Sequence, residues 1–137
     1  MNLLYIDPSA LLKRYLIEEN SEECQEIISK FPNQCISNIG ITEVLIALKK
    51  RLENREHLLA SRLFEAELVA MNLIAFDHQI SRDAVAVSDG KNLATLDSIH
   101  IASALRFKDH DITFLTYDRA QALAARRNGL KTLGVLS

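Results

Sequence analysis

The chain has 137 residues, of which 48% are apolar and 25% are charged, values typical of one folded domain with a substantial core. Its net charge of −2 argues against a protein that binds nucleic acid through an excess of surface cations. Acids gathered around metal ions would not present their charge to a ligand, however, so composition alone leaves the partner open.

The N-terminal segment and the cysteines bear on where the protein works. The first residues lack the basic flank, long apolar core and cleavage site of a signal peptide, and no apolar run approaches the ~20 residues that span a membrane. Cys24 and Cys35 are not spaced as a CxxC pair, which predicts buried thiols in a reducing compartment rather than a zinc site. We therefore expect a cytoplasmic protein that does not bind membranes.

The first predicted element is a strand at residues 3–6, a continuous apolar run typical of a parallel strand covered on both faces. The run stops at Asp7, and Pro8 suits the first turn of a helix because its missing N–H has no partner there. Asp7 is thus expected at the carboxyl end of a strand and at the N-cap of a helix. In open α/β sheets, ligands bind at that edge.

Apolar runs and helical patterns alternate through the rest of the chain. Further strands are predicted at residues 34–37, 73–76, 112–116 and 131–135, and helices at about residues 8–15, 21–31, 43–55, 57–70, 78–87, 95–108 and 119–128. A turn is predicted at residues 88–90. This order predicts one α/β domain over residues 1–137, a three-layer α/β/α sandwich with a mostly parallel central sheet. Right-handed crossovers would place the carboxyl ends of the strands along one edge.

The helices predicted at residues 43–55 and 57–70 carry more apolar surface than is needed to cover one face of the sheet. Leu58, Leu59, Leu63 and Phe64 belong to a broad apolar stripe on the second of them. Core packing accounts for part of such a stripe, and we expect a homodimer contact to account for the remainder.

Four acids are predicted to meet at the functional edge of the sheet. Asp7 and Asp118 end strands, whereas Glu43 and Asp97 open helices in otherwise apolar segments. Each has an alternative interpretation as an N-cap or first-turn charge. Four ionised carboxylates require compensation, and oxygen ligands without a His/Cys set select Mg²⁺ or Mn²⁺ over zinc. His100, in the same helix as Asp97, is interpreted as a buried residue outside the site.

The segments that carry these acids resemble a PIN domain, and most closely the VapC-type ribonuclease toxins of toxin–antitoxin pairs. They are residues 5–11 (Tyr-Ile-Asp-Pro-Ser-Ala-Leu), 42–44 (Thr-Glu-Val), 96–104 (Leu-Asp-Ser-Ile-His-Ile-Ala-Ser-Ala) and 114–118 (Phe-Leu-Thr-Tyr-Asp). The resemblance implies that Asp7, Glu43, Asp97 and Asp118 form the family's acidic quartet. It also implies that Ser9 and Thr116 are the hydroxyls that often accompany the quartet.

The resemblance further implies a metal-dependent nuclease that cuts RNA and is silenced by an antitoxin protein. A bound Mg²⁺ or Mn²⁺ would activate the water that hydrolyses the phosphodiester bond. Many of these toxins carry an arginine shortly before the third acid, whereas residues 91–95 here are Lys-Asn-Leu-Ala-Thr. Candidate phosphate contacts lie close to the acids in sequence: Lys13, Arg14, Lys91 and Arg119.

Two other classes of protein share part of this pattern. A catalytically silent PIN-like module that binds nucleic acid or protein would keep the fold and most of the acids. A receiver-type phosphoacceptor also clusters acids at strand ends, but it needs an acidic pair after the first strand and a lysine after a late strand. Asp7 is followed by Pro8, and the strand that ends at Asp118 lacks the lysine, so the receiver is disfavoured.

Overall fold

The centre of the molecule is a parallel sheet, seen in a computed structural model that describes residues 2–88 and 93–135. Its strands are β1 (Leu3–Ile6), β2 (Asn33–Ser37), β3 (Asn72–Ile74), β4 (Ile112–Thr116) and β5 (Lys131–Gly134). They pair in the order β3-β2-β1-β4-β5, and every neighbouring pair is parallel. The predicted strands are confirmed, although β3 is shorter than expected and ends at Ile74.

Helices connect the strands and cover the sheet. They are α1 (Pro8–Leu11), α2 (Ser21–Ser29), α3 (Asn38–Arg51), α4 (Asn54–Leu68), α5 (His78–Ser88), α6 (Thr95–Leu105) and α7 (Arg119–Arg127). Short 3-10 turns follow α1 at Leu12–Arg14 and α6 at Lys108–His110. The predicted turn at residues 88–90 extends into Asp89 and Gly90, which lie outside the described residues. None of the helices described is both long enough and apolar enough to span a membrane.

The two faces of the sheet bury separate apolar cores. Leu4 and Ile6 of β1 belong to a core with side chains from α1, α2, α3 and α4. Leu3 and Tyr5 point to the opposite face and pack with side chains from α5, α6 and α7. This alternation is the period of two that a strand imposes on its side chains. The three-layer α/β/α architecture is therefore confirmed.

α3 begins earlier than the sequence pattern predicts. The Ser37 side chain accepts a hydrogen bond from the Ile39 N–H at 3.3 Å, so the helix starts at Asn38. Gly40 then lies within α3 and allows it to approach the sheet, since a Cβ there would be 2.8 Å from the Ile36 side chain. The sequence pattern predicts that Glu43 opens this helix. Glu43 lies instead in the second turn of α3.

Strand order reverses beside β1, and this reversal positions the site. The chain passes outwards from β1 through β2 to β3, then returns to place β4 on the other side of β1. Connections leave β1 and β4 in opposite directions, which opens a crevice at their carboxyl ends. Asp7 follows β1 directly, and Asp118 follows β4 after one residue.

Candidate active site

Asp7 is held in place by hydrogen bonds from both sides. It is the N-cap of α1 and only 5% exposed, and its backbone N–H donates to the Leu115 carbonyl at 3.1 Å, which joins β1 to β4. Its Oδ2 accepts from the Ser9 N–H at 3.1 Å and from the Ser9 hydroxyl at 2.5 Å. Its Oδ1 accepts from Gln121 Nε2 at 2.9 Å. Both carboxylate oxygens are therefore fixed in direction.

Gln121 links Asp7 to Asp118 through a closed network. Gln121 is fully buried, and its Oε1 accepts from the Thr116 hydroxyl at 2.6 Å. Thr116 Oγ1 accepts from the Asp118 N–H at 3.1 Å, and Asp118 Oδ1 accepts from the Gln121 N–H at 2.9 Å. Asp118 is thus the N-cap of α7, in agreement with its alternative interpretation. It also accepts a hydrogen bond from the backbone of Gln121, whose side chain donates to Asp7.

Sequence reasoning missed Gln121, although one signal was available. It stands three residues after the N-cap Asp118, the spacing of a capping box, and its neighbour in α7, Ala122, is fully buried. A glutamine on the buried side of a helix requires a polar partner. The sequence could not show that this partner is Asp7.

Glu43 is oriented by a buried histidine. His100 is 1% exposed, and its Nε2 lies 2.5 Å from Glu43 Oε1. The other ring nitrogen, Nδ1, lies 2.6 Å from the hydroxyl oxygen of Tyr5. The expectation that His100 is buried is confirmed, but its contact with Glu43 places it directly behind the acids rather than apart from them.

Asp97 is the third residue of α6, three residues before His100, and it is half-buried. Its pKa is raised from 3.8 to about 6, mainly because burial disfavours the charged form. The charges of Asp7, Asp118 and Glu43 raise it further, while His100 lowers it. All four predicted acids are therefore electrostatic neighbours.

The chemistry of this group suits a divalent cation. Three of the four side chains whose charges act on Asp97 are carboxylates, so negative charge is concentrated here. Hard oxygen donors of this kind bind Mg²⁺ or Mn²⁺. Within residues 2–88 and 93–135, no three acidic, histidine or cysteine side chains are already arranged to hold a metal ion. The acids are thus neighbours rather than a preformed coordination shell, as expected of like charges.

The predicted phosphate contacts have different surroundings. Lys13 forms an ion pair with Glu18 at 3.3 Å and lies over the Tyr117 ring, 5.0 Å from its centroid. Arg14 forms an ion pair with Glu67. Both cations are thus paired with acids of the protein itself, and their contact with phosphate stays a prediction.

Of the remaining two cations of that set, one lies directly beside an acid. Arg119 is exposed at the first residue of α7, directly after Asp118. Its guanidinium is a suitable phosphate contact because its donors match phosphate oxygens in pairs. Lys91 lies outside the described residues.

Comparison with known proteins identifies the family. The family model described as the PIN domain matches residues 4–127, which is most of the chain. The protein is therefore a member of the PIN domain family. No curated protein matches the sequence itself.

Several solved structures share this fold. FitAcB from Neisseria gonorrhoeae superposes with a TM-score of 0.74 at 18% identity, over 95% of this chain and 96% of that one. VapC20 from Mycobacterium tuberculosis, a toxin that cleaves the sarcin-ricin loop, gives 0.71 at 14% identity, over 96% and 98%. VapBC2 from Rickettsia felis, bound to a DNA fragment from its promoter, gives 0.67 at 12% identity, over 96% and 97%. At these identities the likeness establishes a shared fold.

Proposed function

We propose that the protein is a metal-dependent endoribonuclease and the toxin of a toxin–antitoxin pair. The observation that supports the proposal most directly is that the charges of Asp7, Glu43 and Asp118 all act on Asp97, although the four acids belong to separate elements of the chain. Membership of the PIN domain family supports a nuclease. The resemblance to the fold of VapC20, a toxin that cleaves the sarcin-ricin loop, supports RNA as the substrate.

In this proposal the four acids hold the metal. Asp7 and Asp97 would hold one Mg²⁺ or Mn²⁺, and Glu43 and Asp118 would complete its shell or help to hold a second ion. Such an ion lowers the pKa of a bound water and stabilises negative charge on the leaving oxygen. With water as the nucleophile, hydrolysis leaves a 5′-phosphate and a 3′-hydroxyl.

The chain's other residues orient the acids and the substrate. Ser9 and Gln121 fix the two oxygens of Asp7, so that its remaining lone pairs keep a constant direction. Thr116 holds Gln121 in the orientation that donates to Asp7. Arg119, exposed beside Asp118, contacts a phosphate of the RNA. Lys91 stays a predicted phosphate contact on the sequence alone.

Cleavage of RNA by purified protein tests the proposal. We expect a single-stranded RNA to be cut with Mn²⁺ and left intact with EDTA, and the new 5′ ends to carry phosphate. Asp97→Asn, purified in parallel, controls for contaminating nucleases and should be inactive. Cleavage that persists in EDTA, or equal cleavage by Asp97→Asn, would rule out the assignment. RNA binding without cleavage would instead identify a catalytically silent module.

We also propose a cognate antitoxin as a protein partner. The structures with this fold include a toxin–antitoxin complex from Klebsiella pneumoniae, matched over 87% of this chain at a TM-score of 0.65. Expression of the chain alone should arrest bacterial growth, and co-expression of a small protein encoded beside it should relieve the arrest and copurify with it. Relief without a physical complex would contradict a direct antitoxin.

A further inference from the structure

A buried chain of hydrogen bonds reaches the site from the core of the protein. Its members are the Ser37 backbone, Tyr5, His100 and Glu43, which we call the Tyr5–His100 chain. They belong to four elements: Ser37 ends β2, Tyr5 is in β1, His100 is in α6 and Glu43 is in α3. The function proposed above gives no role to Tyr5 or His100. Burial of a tyrosine hydroxyl and an imidazole together requires that each polar atom be satisfied.

Three hydrogen bonds join the members of the Tyr5–His100 chain, and the direction of the first and the last follows from the groups involved. The Ser37 N–H can only donate, so Tyr5 Oη accepts from it at 3.2 Å. The Tyr5 hydroxyl oxygen also lies 2.6 Å from His100 Nδ1, so these two buried groups are hydrogen-bonded to each other. A carboxylate oxygen can only accept, so His100 Nε2 donates to Glu43 Oε1 at 2.5 Å.

The hydrogen bond from His100 matters because the Glu43 side chain would otherwise be free to change rotamer. Its side chain is 28% exposed, on the second turn of α3, and a free glutamate samples many rotamers. Residues behind a metal ligand commonly fix its orientation through such hydrogen bonds. His100 itself cannot turn, because Tyr5 holds its other nitrogen and the Tyr5 ring stacks on Phe114 with centroids 5.3 Å apart.

We propose that His100 is a positioning residue that aims the Glu43 carboxylate at the metal, and that Tyr5 sets the His100 ring from within the core. The inference rests on the proposed function, since Glu43 is there a metal ligand. Metal affinity would then depend on Tyr5 and His100 as well as on the acids, although neither of these two residues touches the metal or the RNA.

Two amide substitutions of His100 separate positioning from mere packing. The amide nitrogen of glutamine lies about as far from the backbone as His100 Nε2, whereas that of asparagine reaches only as far as Nδ1. His100→Gln therefore keeps a donor for Glu43, and His100→Asn removes it. We expect His100→Asn to weaken Mn²⁺ binding by roughly 10- to 100-fold and His100→Gln by no more than about threefold. Calorimetric titration of the RNA-free protein with Mn²⁺ alone measures both.

The Glu43→Gln variant tests whether His100 affects Mn²⁺ binding through Glu43. In Glu43→Gln the carboxylate that His100 aims is gone, so adding His100→Asn should change the Mn²⁺ dissociation constant by less than about twofold. Tyr5→Phe, which removes only the hydroxyl and keeps the aromatic ring, serves where His100→Asn does not fold. It should weaken Mn²⁺ binding by roughly 3- to 10-fold.

The outcomes distinguish this inference from the proposed function. Failure of the wild-type protein to bind Mn²⁺ would overturn both. If the wild type binds Mn²⁺ and cuts RNA, equal affinities for His100→Asn and His100→Gln would overturn the positioning role alone. An unchanged affinity in Tyr5→Phe would overturn the role of Tyr5. An effect of His100→Asn that persists in Glu43→Gln would show that His100 acts by another route.

Discussion

At the scale of single residues, the charge of Asp97 lowers the stability of the metal-free protein, although the proposed metal site requires that charge. Its pKa in the folded protein is about 6, above the value of 3.8 for a free side chain. The folded state therefore binds this proton more tightly than the unfolded state does. Below about pH 3 the group is neutral in both states and does not affect stability. As pH rises from 4 to 6, the free energy of unfolding of the metal-free protein falls.

Removal of the Asp97 charge should thus stabilise the metal-free protein. Asp97→Asn is expected to raise the free energy of unfolding at pH 7 by about 1 kcal/mol, after allowance for the solvent that screens a half-buried group. The gain should vanish below about pH 3, and the stabilisation that Mn²⁺ gives the wild type should be lost. Urea unfolding with and without Mn²⁺ measures these effects. Asp109→Asn, at an exposed acid before β4, should change none of them; a less stable Asp97→Asn at pH 7 would contradict the argument.

Gln121 gives a second prediction at this scale. Gln121→Glu replaces the amide that donates to Asp7 Oδ1 with another carboxylate in a fully buried position. We expect a loss of roughly 1–3 kcal/mol in the metal-free protein, from the lost hydrogen bond and the added repulsion. Thermal unfolding without metal measures it. Leu123→Glu adds an acid to the exposed side of the same helix and should cost much less; equal losses in the two variants would contradict a specific role for Gln121.

At the scale of elements, the seating of α3 on the sheet fixes where Glu43 lies. A Cβ at Gly40 would lie 2.8 Å from the Ile36 side chain and 3.2 Å from Pro8. In an exposed helix, Gly to Ala gains about 1 kcal/mol, but overpacking of this kind costs roughly 1–3 kcal/mol. The collision should therefore outweigh the gain in helix propensity.

Gly40→Ala is accordingly expected to lower the free energy of unfolding and to weaken Mn²⁺ binding, because α3 moves away from the site. The new Cβ would meet two atoms of Ile36, and Ile36→Val removes one of them, Cδ1. Ile36→Val should therefore partly restore stability when combined with Gly40→Ala. Urea unfolding and Mn²⁺ titration of the three variants test this. A Gly40→Ala protein more stable than the wild type would refute the close contact.

Elements also show what the sequence could and could not predict. β4 was found at its observed bounds because Ile112–Thr116 is a continuous run of apolar and β-branched residues. The start of α3 was missed because Gly40 is typical of loops, whereas here it serves a close approach. The contacts of Gln121 with Asp7 and of His100 with Glu43 join residues 114 and 57 apart in sequence, and no local pattern encodes them. Asp7 and Asp118 follow strands and Asp97 lies in the first turn of α6, positions that a sequence pattern can indicate, whereas Glu43 lies in the second turn of α3.

At the scale of the whole molecule, an exposed apolar face on α4 supports the predicted homodimer. Leu58, Leu59 and Leu63 are 48%, 57% and 54% exposed, while Phe64 of the same stripe is buried in the core. We expect the wild type to be a dimer at micromolar concentration and Leu59→Glu/Leu63→Glu to be a monomer, by light scattering after gel filtration. Val85→Glu, at an exposed residue of α5 on the opposite side of the sheet, should remain dimeric. A dimeric double variant would place the contact elsewhere.

The central place of β1 governs when the protein can form during its synthesis. Leu4, Tyr5 and Ile6 are fully buried only once β1 lies between β2 and β4, and β4 is residues 112–116. A growing chain must therefore carry β1 with one unpaired side until β4 has left the ribosome. Asp118 and Gln121 emerge after β4. If the protein cuts RNA as proposed, its topology keeps it inactive toward the ribosome that is making it until β4 and α7 have emerged.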